Sequence, residues 1–313
     1  MSNLPRTEEV EQQYHHLYQT SAYAEALELV TREAYIFPEY AQKVIYSWRV
    51  ECALGLKDKD MALCLLDEAL RAGYWYSNIQ EDEDFALLHG DPEFERLAGI
   101  SAERRAQAMA NAVPVIKTFP PTSRPSPYPL LLALHGANAS AESEHWNSAV
   151  ARGWFLGMPQ SSQVFAPGRY TWNDWDWALQ EVPQRFAAIC AEHPIDTNRV
   201  VLAGFSQGGG LATWLGLGRA IRVRGLILVG PYLADVNNLL PTLDKHGPYD
   251  LRAYIVAGTR DQYCHQIAQQ LAELLPNYGI TCKLDVYADM EHRFPLDFEH
   301  KLPEALDYVM ELQ

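Results

Sequence analysis

Between residues 130 and 287 the chain alternates short, mostly apolar segments with longer stretches of helical periodicity, and this alternation constrains the fold more than any other feature. Residues 130–134, 164–166, 200–203, 226–229, 253–257 and 282–287 read as strands. Residues 177–190, 207–218 and 262–275 read as helices between them. A strand that is apolar at every position has to be covered on both faces, and helical connections make its neighbours run parallel. The expected fold is therefore α/β with a mainly parallel central sheet. In such sheets the ligand crevice lies beyond the carboxyl ends of the strands, so each residue just after a strand is a site candidate.

The first third of the chain follows a different pattern. Apolar residues at helical spacing run from Tyr23 to Phe37, Tyr40 to Leu56 and Met61 to Ala72, punctuated by Pro38 and Gly55. Residues 1–110 carry 10 Lys/Arg against 20 Asp/Glu, and the remainder 15 against 20, so the charge balance shifts at the same place as the periodicity. Pro114, Pro120, Pro121, Pro125, Pro127 and Pro129 then exclude a continuous helix. These breaks divide the chain into a small all-helical domain, residues 1–111, and an α/β domain, residues 112–313. Ala26-Leu27-x-Leu29 recurs 36 residues later as Ala62-Leu63-x-Leu65, close to the period of helix-turn-helix repeats. With the acidic 83–94 segment, these helices resemble the end of a tetratricopeptide-type array.

The chemistry is concentrated at one turn. Gly204-Phe205-Ser206-Gln207-Gly208 follows an expected strand and opens an expected helix, the context in which a G-x-S-x-G match becomes a nucleophile elbow. A serine hydroxyl needs a base within hydrogen-bond reach, and that base needs an orienting acid. Four histidines follow Ser206: His246 in a polar loop with no strand before it, His265 and His300 within helices, and His292 in the loop after the final strand. His292 is the expected base. Asp261, at the end of the 253–257 strand in Gly258-Thr259-Arg260-Asp261, is the expected acid, with Asp235 after the preceding strand as its rival. Asp289 and Glu291 sit too near His292 in sequence to orient it. Acyl transfer also needs donors for a developing oxyanion. The backbone N–H of Gln207 supplies one, and His135-Gly136-Ala137 after the 130–134 strand supplies the other through Ala137 N–H. His135 precedes Ser206 and reads as a loop-fixing residue.

These residues resemble a known family. Leu134-His135-Gly136, the Ile195-Asp196-x-x-Arg199-Val200 approach to Gly204-Phe205-Ser206-Gln207-Gly208-Gly209, and Gly258-x-x-Asp261 are similar to the phospholipase/carboxylesterase group of α/β-hydrolases, which includes acyl-protein thioesterases. The resemblance implies an α/β-hydrolase fold, a Ser206–Asp261–His292 triad, and ester or thioester hydrolysis without metal or cofactor. Met290-Glu291 before His292, and Ala-Asn-Ala-Ser after Gly136, depart from the group's pattern. The aromatic segment Tyr170 to Trp177 either lines an acyl or aryl pocket or packs the start of a helix. The short 233–251 segment argues against a large lid, and hence for an accessible cleft.

Composition removes other classes. A formal net charge of -15 without any basic stripe excludes nucleic acid and anionic membrane as expected partners. The polar start and the lack of long apolar runs point to a cytoplasmic protein with no transmembrane segment. Five scattered cysteines without CxxC pairs argue for reduced thiols and against a zinc site. A small-molecule or acylated substrate is the expected ligand, and the N-terminal helices are candidates for a protein partner or for self-association. A peptidase of the same fold and a partner-binding scaffold are the competing readings.

Overall fold

The computed structural model describes residues 6–37 and 42–311, which leaves Pro38 and Tyr40, used above as helix markers, outside the described residues. The chain divides into two compact units: residues up to Asn111 together with Val164–Gly168, and Ala112–Gln163 together with Arg169 onward.

The first unit contains α1 (Arg6–Gln19), α2 (Tyr23–Glu33), α3 (Gln42–Gly55), α4 (Lys59–Arg71) and α5 (Pro92–Ala110). Helix starts follow local chemistry. Asp58 accepts from the Met61 N–H at the head of α4, and Asp91 accepts from the Glu93 N–H at 2.8 Å ahead of Pro92, so otherwise orphaned donors of the first turn are satisfied. The recurrence seen in sequence is structural: Ala26 and Leu29 in α2, and Ala62 and Leu65 in α4, are all buried at equivalent helical positions. The first helices close on an apolar cluster in which Tyr14 stacks on Trp48 with ring centroids 4.3 Å apart.

In the second unit the elements follow in order as β1 (Val115–Phe119), β2 (Tyr128–Leu134), α6 (Ser148–Ala151), β3 (Phe155–Gln160), β4 (Val164–Ala166, grouped with the first unit), β5 (Arg169–Tyr170), α7 (Trp175–Glu192), β6 (Ile195–Phe205), α8 (Gln207–Leu217), β7 (Gly225–Val229), α9 (Leu240–His246), β8 (Arg252–Gly258), α10 (Gln262–Leu274), β9 (Thr281–Tyr287) and α11 (Phe298–Met310). Seven strands form one sheet in the order β1-β3-β2-β6-β7-β8-β9. Only β1 is antiparallel to its neighbour. Alternation along the strands sorts the core onto two faces. Leu130, Leu132, Val200, Leu202, Leu226, Leu228 and Ile255 pack on one side with α7, α8 and α10. Leu131, Ala133, Val201, Ala203, Ile227, Val229 and Val256 pack on the other with α11.

One strand assignment from sequence needs correction, and two strands of the sheet were not expected. Residues 164–166 do form a strand, but outside the central sheet, in a separate two-stranded ribbon where Phe165 is 36% exposed. The place in that sheet, next to the edge strand, belongs to β3, whose Gly157, Met158 and Pro159 carry no β-branched signature although every residue in it is buried. Pro159 is tolerated because it lies beyond Gly157, the last residue of β3 registered with β2. The proline-rich run read as a break also contains β1, an edge strand, where a proline-flanked segment costs the sheet least. His246, expected in a loop, closes the short helix α9.

Candidate active site

Ser206 sits between β6 and α8 with φ 54° and ψ −121°, a region that L-residues rarely occupy. Hydrogen bonds on both sides hold it there. Its N–H donates to the Val229 carbonyl at 2.9 Å, and its carbonyl accepts from the N–H groups of Gly210 and Tyr232 at 3.1 and 2.9 Å. The flanking glycines are required by contact. A β-carbon on Gly204 would lie 2.6 Å from Gly209 N, and one on Gly208 would collide with the carbonyls of Leu134 and His135. Helix α8 contains four glycines and is nevertheless almost wholly buried, so packing rather than propensity makes it helical.

The three residues singled out in the sequence come together. Ser206 Oγ lies 2.8 Å from His292 Nε2, and His292 Nδ1 lies 2.5 Å from Asp261 Oδ2. Asp261 follows β8 and is the N-cap of α10, so its other carboxylate oxygen accepts from the Cys264 N–H at 3.3 Å and its rotamer is fixed from two directions. The loop carrying His292 is tied down by the Met290 carbonyl, which accepts from Arg260 N–H at 3.0 Å, and by Thr259 Oγ1, which accepts from Asp289 N–H at 3.0 Å. Gly230, at φ +49°, leaves room beneath the pair: a β-carbon there would stand 3.4 Å from the His292 ring. The imidazole lies against Phe205 with centroids 4.7 Å apart, and its side chain is 40% exposed, open enough to meet a substrate.

The rivals are engaged elsewhere. Asp235 Oδ1 accepts from the N–H and the Nδ2 of Asn237, both at 2.9 Å, and caps a local turn. Glu291 reaches Arg260 at 3.5 Å. Asp261, Cys264 and His292 offer donor atoms within 4.8 Å of one another, the geometry of a small metal site. A cation there would have to displace Ser206 or Asp261 from the imidazole. Burial also pushes the Cys264 thiol up to about 12, so it remains a neutral, poor ligand.

For the oxyanion donors, Gln207 is the first residue of α8, where a backbone N–H has no intrahelical carbonyl to bind. Gly136 approaches so closely that a β-carbon on it would stand 3.4 Å from Ser206 Cβ, and exposed Ala137 follows directly. His135 is buried and fixes this loop. Its Nε2 accepts from Ser161 N–H at 3.2 Å, which leaves Nδ1 to carry the proton and donate to the Gly136 carbonyl at 2.8 Å. Burial pushes its pKa down to about 4, so the imidazole is neutral.

One set of partners had no sequence signal. The Gln207 side chain accepts from Trp172 N–H at 2.7 Å and from Thr171 Oγ1 at 3.0 Å, and donates to Asn173 Oδ1 at 2.9 Å. Trp172 is fully buried, stacks on His135 with centroids 4.6 Å apart and donates its Nε1–H to the His135 carbonyl at 2.9 Å. The 171–173 loop therefore ties the start of α8 to the His135-Gly136 turn. Of the two readings of the tryptophans, packing holds for Trp172, while Trp177 is half exposed and donates to Ser162 Oγ at 3.0 Å.

A doubly covered parallel sheet with a strained serine between strand and helix defines a class, and comparison with known proteins agrees. Residues 129–300 match the profile of the alpha/beta hydrolase fold, and residues 10–109 match that of an A/B hydrolase-like N-terminal domain. The chain belongs to the α/β-hydrolase fold family. Among solved structures it is similar to an uncharacterized protein from Bacillus cereus ATCC 10987, with a TM-score of 0.55 and 24% identity, covering 97% of this chain and 99% of that one. It is also similar to esterase PE8, with a TM-score of 0.53 and 17% identity, covering 62% of this chain and 98% of that one. A curated relative, the bifunctional acetylxylan esterase/xylanase XynS20E of Neocallimastix patriciarum, is 33% identical over 104 residues, 30% of this chain. That match spans only 14% of the relative's length. No described helix is long and apolar enough to cross a membrane.

Proposed function

We propose that the protein is a serine hydrolase that cleaves carboxylic esters, and by the same chemistry thioesters, through an acyl-enzyme on Ser206. The Ser206–His292–Asp261 relay, with separations of 2.8 and 2.5 Å, carries the proposal. Ser206 Oγ attacks the acyl carbon while its proton passes to His292 Nε2, and Asp261 stabilises the imidazolium that forms. Charge gathering on the carbonyl oxygen is met by the N–H groups of Gln207 and Ala137. Collapse breaks the bond to the leaving group, which takes the proton from His292. Water then repeats the sequence and releases the acid. No step requires a metal or cofactor.

A short acyl group is the preferred substrate. The likeness to an acetylxylan esterase supports it, and so does the exposure of His292. For the N-terminal helices, the buried recurrence at Ala26/Leu29 and Ala62/Leu65 supports paired, tetratricopeptide-like helices that offer a surface for a protein partner or for self-association. Turnover of p-nitrophenyl esters of increasing chain length, beside peptide p-nitroanilides, tests the substrate. The expected result is hydrolysis of acetate and butyrate esters, lost in His292→Ala. Hydrolysis of the anilides without the esters would replace this reading by a peptidase.

A further inference from the structure

The amino-terminal edge of the sheet carries a feature that ester hydrolysis does not use. A hollow of about 650 Å³ there is lined by Arg124, Arg152 and Arg199, with Trp154, Leu306 and Met310 among its apolar walls and Asp307 as its one carboxylate. Arg199 precedes the buried part of β6 and Trp154 precedes β3, so both stand at strand starts, whereas Ser206 stands at a strand end. Seven residues of extended chain separate Arg199 from Ser206, roughly 20 Å.

Few carboxylates stand among these arginines. The Arg199 guanidinium lies over the Trp154 ring at 6.0 Å, and burial together with the nearby charge of Arg124 holds its pKa below the ordinary guanidinium value against the opposing pull of Asp196. The stem of exposed Arg124 passes over Gly153, at φ +83°, where a β-carbon would stand 3.2 Å from it. Arg152 pairs with Asp307 at 3.2 Å, but both are largely exposed, and such pairs contribute little. Among the described residues neither Arg124 nor Arg199 has a carboxylate within 4.0 Å. A second hollow of about 450 Å³ shares Arg199 and Met310 and adds Arg222 and Arg224, the latter paired with Asp250. In a chain of net charge -15, this convergence of arginines is a local basic patch suited to an anion.

We propose that this cleft is a binding site for the phosphoryl group of a small molecule, held by Arg124 and Arg199 with the apolar wall taking the rest of the ligand. Planar guanidinium groups bind phosphate oxygens in pairs, and a dianion between two of them offsets their mutual repulsion. The site is independent of the hydrolytic one.

Titration calorimetry of the full chain with inorganic phosphate and pyrophosphate, against acetate at matched ionic strength, tests it. One site per chain is expected, tighter for pyrophosphate, unchanged in Ser206→Ala and weakened about tenfold or more in Arg124→Gln, an exposed change, and in Arg199→Gln. Asp307→Asn, which removes the competing carboxylate, is expected to tighten binding. Heats absent at millimolar ligand, matched by acetate, or indifferent to Arg124→Gln would overturn the proposal.

Discussion

Replacing Ser206 by glycine is expected to stabilise the hydrolase unit relative to Ser206→Ala, although both variants lack the hydroxyl. At φ 54° and ψ −121° any residue with a β-carbon is strained by about 1–3 kcal/mol. Glycine escapes that strain, but the greater freedom of its unfolded chain returns about 0.5–1 kcal/mol. At the middle of both ranges the net advantage of glycine over alanine is about 1.2 kcal/mol. For a unit of this size each kcal/mol moves the melting temperature by about 2–4 °C, so glycine should melt about 2–5 °C higher. Alanine is the proper reference because the hydrogen bond to His292 is lost in both. Calorimetry on the two variants, with urea midpoints as a second measure, reads the difference. A glycine variant that melts with or below the alanine variant would refute the claim that strain is stored at this serine.

Three further outcomes follow from the site. Asp261→Asn should lower kcat by about four orders of magnitude, because the imidazole loses its proper tautomer partner, while the melting temperature changes little since asparagine still accepts from Cys264 N–H; steady-state kinetics and melting separate the two. His135, held neutral with its pKa pushed from 6.5 to about 4, is protonated first in the unfolded chain, so its contribution is complete above pH 6.5 and is lost as pH falls towards 4. The loss amounts to about 3 kcal/mol, and a His135→Gln variant should show a flatter fall in urea stability over that window. Gln207→Leu leaves the buried Trp172 N–H without its acceptor and should cost about 1–3 kcal/mol in urea unfolding, against no change if the 171–173 loop were held by packing alone.

What was legible in the sequence was local or ordered. Ser206 and Asp261 each follow a strand that an apolar run announces, His292 follows one marked by alternation of Leu284 and Val286 with Lys283 and Asp285, and chain order assigned the geometry that the structure brings together. The β3 strand escaped because Gly157, Met158 and Pro159 carry no strand signature; its burial comes from neighbours on both sides. The Gln207 side chain was equally hidden. Its backbone N–H was marked by position, but its three partners arrive from residues 171–173, and only folding brings them near. The arginine cleft follows the same logic. A scan for basic runs finds none, because Arg124, Arg152 and Arg199 come from three separate strand starts or loops.

The most direct test of the account is labelling by a fluorophosphonate probe, read by mass spectrometry of the peptide containing Ser206. Stoichiometric labelling on Ser206 is expected, abolished in Ser206→Ala and strongly slowed in His292→Ala. A well-folded chain that stays unlabelled, or carries the label on another residue, would contradict it.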